Sequence, residues 1–417
     1  MATSAIDITD PASVPLDKID VSDPELFENN AHWPLFKRLR EEDPVHFCAD
    51  SPLGPYWSVT KYKDIMAVDS NHKVFSSLGA LSLDEFRLSG PTEDSTPVGG
   101  FLAMDQPQHD EQRKIVTPAV APANIARLET LIRARTRSLL AELPIGEEFD
   151  WVETISIELT TLMLATLLDF PMDQRNLLKT WSDAAGGIPG DGIIESWEQR
   201  DELLKQMAGT FIEMRERRRQ EEPKMDLVSM LAHSPMAQDM SYEDYVTNVG
   251  LLIVGGNDTT RNSMSASIIG FDRFPDQWAK LMANPELVDS AVPEIIRWHT
   301  PVMYQGRKAL VDTELGGKTI RKGDRVAMWY ISGNRDEEAI ERPDDFIIDR
   351  KRPRQHLSFG FGIHRCLGNR LAEMQLRVLW EEIIKRGWSR IEVTGKPVYA
   401  RSNTLRGIDY LPVRIHA

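Results

Sequence analysis

Residues Phe359-Gly-Phe-Gly-Ile-His-Arg-Cys-Leu-Gly368 set Cys366 among glycines at the start of a helical pattern. It is one of only two cysteines in 417 residues, the other being Cys48. Gly360 and Gly362 admit backbone shapes closed to other residues and carry no Cβ to block a close approach. Gly368, just after the cysteine, permits tight packing against something flat. Leu367, Leu371, Met374 and Val378 then recur at helical spacing. Cys366 therefore stands at a helix N-terminus, where free N–H groups and the helix dipole favour an anion and lower a thiol pKa. Free cysteines are usually packing residues. A zinc site wants four clustered ligands, and only His364 and His356 are near. A thiolate held against a large flat group accounts for the glycines and the helix start together.

The frame Phe-x-x-Gly-x-His-x-Cys-x-Gly resembles the haem-binding signature of cytochrome P-450 enzymes. By that resemblance Cys366 is the axial ligand of haem b (iron protoporphyrin IX), with Phe359, His364 and Gly368 around the cofactor. The thiolate pushes electron density that helps to break the O–O bond. The implied fold is mainly α (α+β), with a large helical lobe and a smaller β-rich lobe.

Composition narrows the class. The formal net charge of −15 argues against nucleic acid as a partner. Hydrophobic residues make up 41%, enough for a large core, and no linker divides the chain. The expected organisation is a flexible arm over residues 1–20 and a single P-450 domain over 21–417. Two cysteines suggest no disulfide scaffold. The polar, acidic start has neither an apolar run that could span a bilayer nor a positive n-region. The expectation is a soluble, cytoplasmic protein of the bacterial type, without stable membrane insertion.

Helical patterns are expected over roughly 33–42, 108–142, 152–169, 173–185, 194–220, 241–270, 276–283, 287–299 and 367–386. Strand signals fall at 56–60, 313–320 with a Gly316-Gly317 turn, 325–329 and 391–415. Residues 76–100 form a long loop rich in Ser, Gly, Pro and Thr, and Gly186–Gly192 reads as a hinge.

The longest helix opens with Ser241-x-x-Asp244, a capping box, and spans roughly 45 Å at 1.5 Å per residue. Its apolar first half implies burial, yet Gly255 and Gly256 interrupt it, at about 1 kcal/mol each relative to alanine. Close helix packing or a ligand against the backbone would offset that cost. The run Gly255-Gly-Asn-Asp-Thr-Thr260 resembles the P-450 oxygen-activation motif. By that resemblance Thr259 orients dioxygen and its waters, Asp258 relays protons and Gly255 lies against the cofactor.

Glu294-x-x-Arg297 and Pro343-x-x-Phe346-x-x-x-Arg350 resemble the family's buried Glu-Arg-Arg set, a structural and not a chemical feature. His109, Arg113, Arg307 and His356 match positions that hold haem propionates. Arg350, Lys351, Arg352, Arg354, Arg365, Arg370 and Arg377 form a basic region that reads as nearly unopposed. The resemblance makes it a docking patch for a 2Fe-2S ferredoxin fed by an NAD(P)H-dependent ferredoxin reductase, since the chain has no flavin or iron–sulfur motif.

Segments 251–264, 317–340 and 352–382 look like the soluble bacterial alkane-hydroxylating P-450s, which implies O2-dependent terminal (ω) hydroxylation of medium-chain alkanes, alkyl groups or fatty acids. Expected walls of the apolar channel are the 76–101 loop, Leu252, Gly255, Val302, Met303 and Leu405. Departures at 270–274 and 303–306 leave chain length open. The alternatives are a P-450 acting on a terpenoid or other compact apolar molecule and, more distantly, a non-catalytic haem carrier or sensor.

Overall fold

The computed structural model describes residues 11–84, 89–90, 92–95, 98–190, 194–237 and 240–417. In chain order its elements begin with α1 (Pro24–Glu28), α2 (His32–Glu42), β1 (Val45–Cys48), β2 (Tyr56–Val59), α3 (Tyr62–Ser70) and β3 (Phe75–Ser76). The helical lobe follows: α4 (Gln108–Val116), α5 (Pro122–Ala141), β4 (Glu148–Asp150), α6 (Glu158–Leu168), α7 (Asn176–Gly186), α8 (Trp197–Arg218), α9 (Leu227–His233), α10 (Tyr242–Arg273), α11 (Pro275–Ala283) and α12 (Val288–His299). The chain then returns through β5 (Gln305–Ala309), β6 (Thr313–Leu315), β7 (Lys318–Ile320), β8 (Arg325–Met328) and α13 (Tyr330–Gly333). It ends with α14 (Asn369–Arg386), β9 (Arg390–Val393), β10 (Val398–Tyr399), β11 (Ile408–Tyr410) and β12 (Pro412–His416).

The main sheet has the order β1-β2-β8-β5-β3, antiparallel except for the β2–β8 pair. β12 lies between β4 and β9 in a second sheet, and β6–β7 is a hairpin turned by Gly316 and Gly317, both at positive φ. The mainly helical fold with a smaller β lobe is the expected one. Among the described residues no helix is long and apolar enough to cross a membrane.

Local chemistry explains where the expected boundaries move. The helix expected over 108–142 is two helices, because Pro118 and Pro122 interrupt it and Pro122 opens α5. The pattern at 152 begins as a π-helical turn, Val152–Ile157, before α6. α3 and α9, too short for a strong period, were not expected. The flexible arm is also corrected. Residues 1–10 lie outside the described residues, but Val14 and Ile19 are buried in the β-lobe core, and the Arg38 guanidinium donates to the Val14 carbonyl at 2.6 Å.

α10 is the axis of the helical lobe. Ser241 caps it by accepting from the Asp244 N–H at 3.0 Å, as its sequence implies. A Cβ on Gly256 would stand 3.0 Å from Leu164 of α6, so close helix packing explains that glycine. A Cβ on Gly255 would meet nothing within 4 Å, so its side of the helix is open.

Candidate active site

Cys366 follows a short 3₁₀ turn, Gly362–His364, and its N–H donates to the Phe359 carbonyl at 2.8 Å. The N–H groups of Gly368 and Asn369 favour its thiolate, and so do the charges of Arg113 and Arg365. Burial nevertheless outweighs them and pushes the thiol up. The lowered thiol expected from the helix start is corrected accordingly: the low-dielectric surroundings win over the dipole. The residue still has exposed surface. Cys48 differs, being buried with its thiol pushed up to about 12, chiefly by burial.

The ligand loop also corrects the reading of its glycines. Gly360 and Gly362 are both at positive φ. A Cβ on Gly362 would stand 2.4 Å from the Asp69 carbonyl oxygen, and one on Gly360 would stand 3.3 Å from Asp69 Oδ2. What approaches these glycines is the end of α3. Only Gly368 opens onto free space, with nothing within 4 Å of an added Cβ.

Several sequence-predicted partners of an acidic group gather beside Cys366. His109 on α4 and His364 stack edge to face, with centroids 4.4 Å apart. His109 Nδ1 lies 2.7 Å from Asp110 Oδ1, which only accepts, so Nδ1 carries the proton. His109 Nε2 is buried without a partner among the described residues, and so is His364 Nδ1, whose ring meets Ser77 Oγ through Nε2 at 2.9 Å. Burial, Arg307, His109 and Arg113 hold His364 neutral, with its pKa lowered to about 2. Arg113 donates to the Arg365 carbonyl at 2.6 Å, across the mouth of the ligand loop. Arg307 is buried and paired with Asp69 at 2.8 Å, so its charge is already balanced. His356 packs against Phe359 beneath the loop, its pKa lowered to about 3 by burial first and then by Arg297.

This donor set fits haem. A cysteine with exposed surface, two glycines that leave open space and unpartnered buried imidazole nitrogens suit a flat iron macrocycle with two acidic arms. Burial lowers the His109 pKa, and a propionate facing Nε2 would favour the cationic ring from which that nitrogen can donate.

α10 carries two kinds of face. Asn257, Asp258, Thr260 and Arg261 are buried, whereas Leu252 and Thr259 are half-buried and Gly255 is exposed. The Thr259 hydroxyl donates to the Gly255 carbonyl at 2.9 Å. Asp258 turns the other way, toward α7. Its Oδ2 accepts from Ser182 Oγ at 3.0 Å and its Oδ1 from Arg261 Nη2 at 3.1 Å. Arg261 bridges to Asp183, and Asp183 to Lys179, the most exposed member of the chain. Burial raises the Asp258 carboxyl against the pull of Arg261. Ser182, Asp183 and Arg261 belong to no motif and were missed.

Glu294 and Arg297 form a buried bidentate pair at 2.7 and 2.9 Å, and Arg350 adds a third contact at 2.9 Å. Arg297 also holds the Asn334 and Pro343 carbonyls, so the set ties α12 to the chain between α13 and the ligand loop.

Two further expectations change. Met303 is fully buried in the β-lobe core with Phe27, Leu35 and Trp329, so it backs the channel wall and does not face it. Val302 and Leu405 are half-buried and bridged to each other. The basic region is not unopposed: Arg350 pairs with Glu294, Arg354 with Glu373, and Arg377 with Glu129 and Glu381. Acidic residues of α5, α12 and α14 take up these charges, while Lys351, Arg352, Arg365 and Arg370 lack such pairs among the described residues. The predicted hinge at Gly186–Gly192 and the 76–100 loop lie partly outside the described residues.

Comparison with known proteins gives the family. The cytochrome P-450 family model matches residues 191–386. Linalool 8-monooxygenase of Pseudomonas putida is 37% identical over 404 residues, 95% of this chain and 99% of its own. The structure of CYP153D17 from Sphingomonas sp. PAMC 26605 superposes with a TM-score of 0.91 at 44% identity, covering 97% of this chain and all of that one. Cytochrome P-450-153 from Novosphingobium aromaticivorans gives 0.87 at 41%, covering 95% and 99% of the two chains. The chain belongs to the cytochrome P-450 family, the monooxygenases that use cysteine-ligated haem b.

Proposed function

We propose that this P-450 hydroxylates the terminal carbon of medium-chain alkanes, alkyl groups or fatty acids, as one catalytic domain in the cytoplasm, with Cys366 as the haem ligand. The observation that carries the reading is the open stripe of α10. Leu252, Gly255 and Thr259 leave a face with one hydroxyl and otherwise apolar or absent side chains, and Val302 and Leu405 add apolar walls. A narrow apolar approach presents a methyl group and hides the weaker methylene C–H bonds, so access decides position. The likeness to CYP153D17 along nearly the whole chain supports the same reading.

Bound haem supplies the activation of dioxygen. Thr259 orients water and oxygen on the open face of α10, and Asp258 passes protons inward from the chain that reaches Lys179. His109, Arg113, Arg307, His356 and His364 hold or shield the propionates. Electrons come from a reduced 2Fe-2S ferredoxin, served by its NAD(P)H-dependent reductase, that docks at Lys351, Arg352, Arg365 and Arg370.

A second reading has its own support. Because a linalool 8-monooxygenase is 37% identical over nearly the whole chain, a terpenoid is the rival substrate. Gas chromatography of products from an alkane series, fatty acids and linalool separates the two. Primary alcohols from the linear substrates support the proposal; turnover of linalool alone overturns it.

A further inference from the structure

Asp69 appears in no motif, yet it is the buried meeting point of three segments. It sits in the last turn of α3. Its Oδ1 accepts from Arg307 Nη2 of β5 at 2.8 Å. Its Oδ2 accepts from the Tyr330 hydroxyl of α13 at 2.9 Å and from the Phe361 N–H of the ligand loop at 2.7 Å. The ion pair with Arg307 is almost completely buried on both sides. The backbone of the same residue also dictates the loop's composition, since its carbonyl occupies the place a Cβ on Gly362 would need.

A buried ion pair alone would satisfy Arg307. Here the carboxylate also takes a main-chain donor five residues before Cys366, inside the frame that presents the sulfur. A charge-assisted bond to a backbone N–H is short and directional. The loop cannot shift without breaking it, and Arg307 cannot turn without losing its counter-charge. One carboxylate therefore couples the segment that presents the sulfur to the buried Arg307 guanidinium.

We propose that Asp69 is a positioning residue for the thiolate loop, and that its charge offsets Arg307 and so holds the reduction potential of the bound haem down. This rests on the reading of Cys366 as ligand and Arg307 as a propionate partner. The test uses the full-length holoprotein and two readouts other than turnover. One is the midpoint potential. The other is the rate at which the ferrous carbon-monoxide complex loses its thiolate band at about 450 nm.

Asp69→Asn keeps the size of the side chain and removes its charge. It should move the potential in the positive direction and speed the loss of the band several-fold. Adding Arg307→Gln should bring the potential back while band loss stays fast. Wild-type potential and wild-type band loss in Asp69→Asn would overturn the proposal. If Asp69→Asn does not fold, Tyr330→Phe serves, because it removes one donor and keeps the charge: faster band loss at an unchanged potential supports the proposal, and wild-type behaviour overturns it. The underlying reading fails separately, if Cys366→Ala retains the band.

Discussion

The Ser182 hydroxyl donates to Asp258 Oδ2 at 3.0 Å, so the acid beside Thr259 is held from α7 on one oxygen and by Arg261 of its own helix on the other. Thr259 meanwhile bonds back to Gly255 on the opposite, open face. To carry a proton to the oxygen side, Asp258 must let go of Ser182 or Arg261. Removing the Ser182 donor should loosen the acid without touching the open face. Ser182→Ala is expected to change the solvent isotope effect on turnover while peroxide release stays low. Thr259→Ala should instead divert electrons to hydrogen peroxide, raising peroxide per NAD(P)H severalfold. Equal coupling in wild type and Thr259→Ala would place the oxygen-orienting hydroxyl elsewhere.

Glu294 accepts from Arg297, Arg350 and the Ile347 N–H, and both Glu294 and Arg297 are buried. Removing one member of a buried ion set leaves the others uncompensated, at a cost of about 3–5 kcal/mol. Glu294→Gln is therefore expected to lower the unfolding free energy from urea titration by that amount, with poor haem retention, because the set anchors the chain that leads into the ligand loop. A variant of near wild-type stability would show that the arginines find other acceptors.

How much of this was readable in the sequence depends on distance along the chain. Cys366, the Asp258-Thr259 pair and Glu294-x-x-Arg297 stand out because each belongs to a pattern of particular residue types at short, fixed spacing. Asp69 and Ser182 are not: their partners lie 292 and 76 residues away, and only the packing of α3 and α7 brings them in. The Gly360 and Gly362 pattern was visible, but its cause was not, since the close approach comes from α3. Met303 misled because an apolar residue after Pro301 reads the same whether it faces a channel or a core. The charges of Arg354 and Arg377 looked free because their acidic partners stand on other turns and another helix.

Three buried histidines set an expected acid response. Burial, aided by Arg406, holds His32 and His299 well below the usual histidine range, and burial with Arg297 lowers His356 to about 3. A depressed folded-state pKa gives stability that is present above the unfolded value of about 6.5 and lost as pH falls toward the folded one. Below that value the unfolded chain takes up protons that the folded one refuses, at up to ~1.4 kcal/mol per pH unit for each histidine. Unfolding free energy from urea titrations should fall as pH drops from about 6 to about 4, and His299→Gln should make that slope shallower. An unchanged slope would mean that other groups govern the acid transition.

The basic patch gives the last prediction, and the structure divides its residues into two groups. Arg377 is tied to Glu129 and Glu381, in a network where Arg133 and Glu382 also join α5 to α14. Arg365 and Arg370 are exposed beside Cys366. An exposed charge that steers a partner acts mainly on association, and salt screens it within about 10 Å at 0.1 M. Arg365→Glu and Arg370→Glu should therefore slow reduction by ferredoxin several-fold at low salt, raise its KM and flatten its salt dependence, with thermal stability little changed. Arg377→Glu should do the reverse, lowering the melting temperature while leaving the salt dependence as it was. Stopped-flow reduction at two ionic strengths, set beside thermal unfolding, separates them. The docking assignment is lost if all three variants respond alike, because charge would then matter at this face only through the fold.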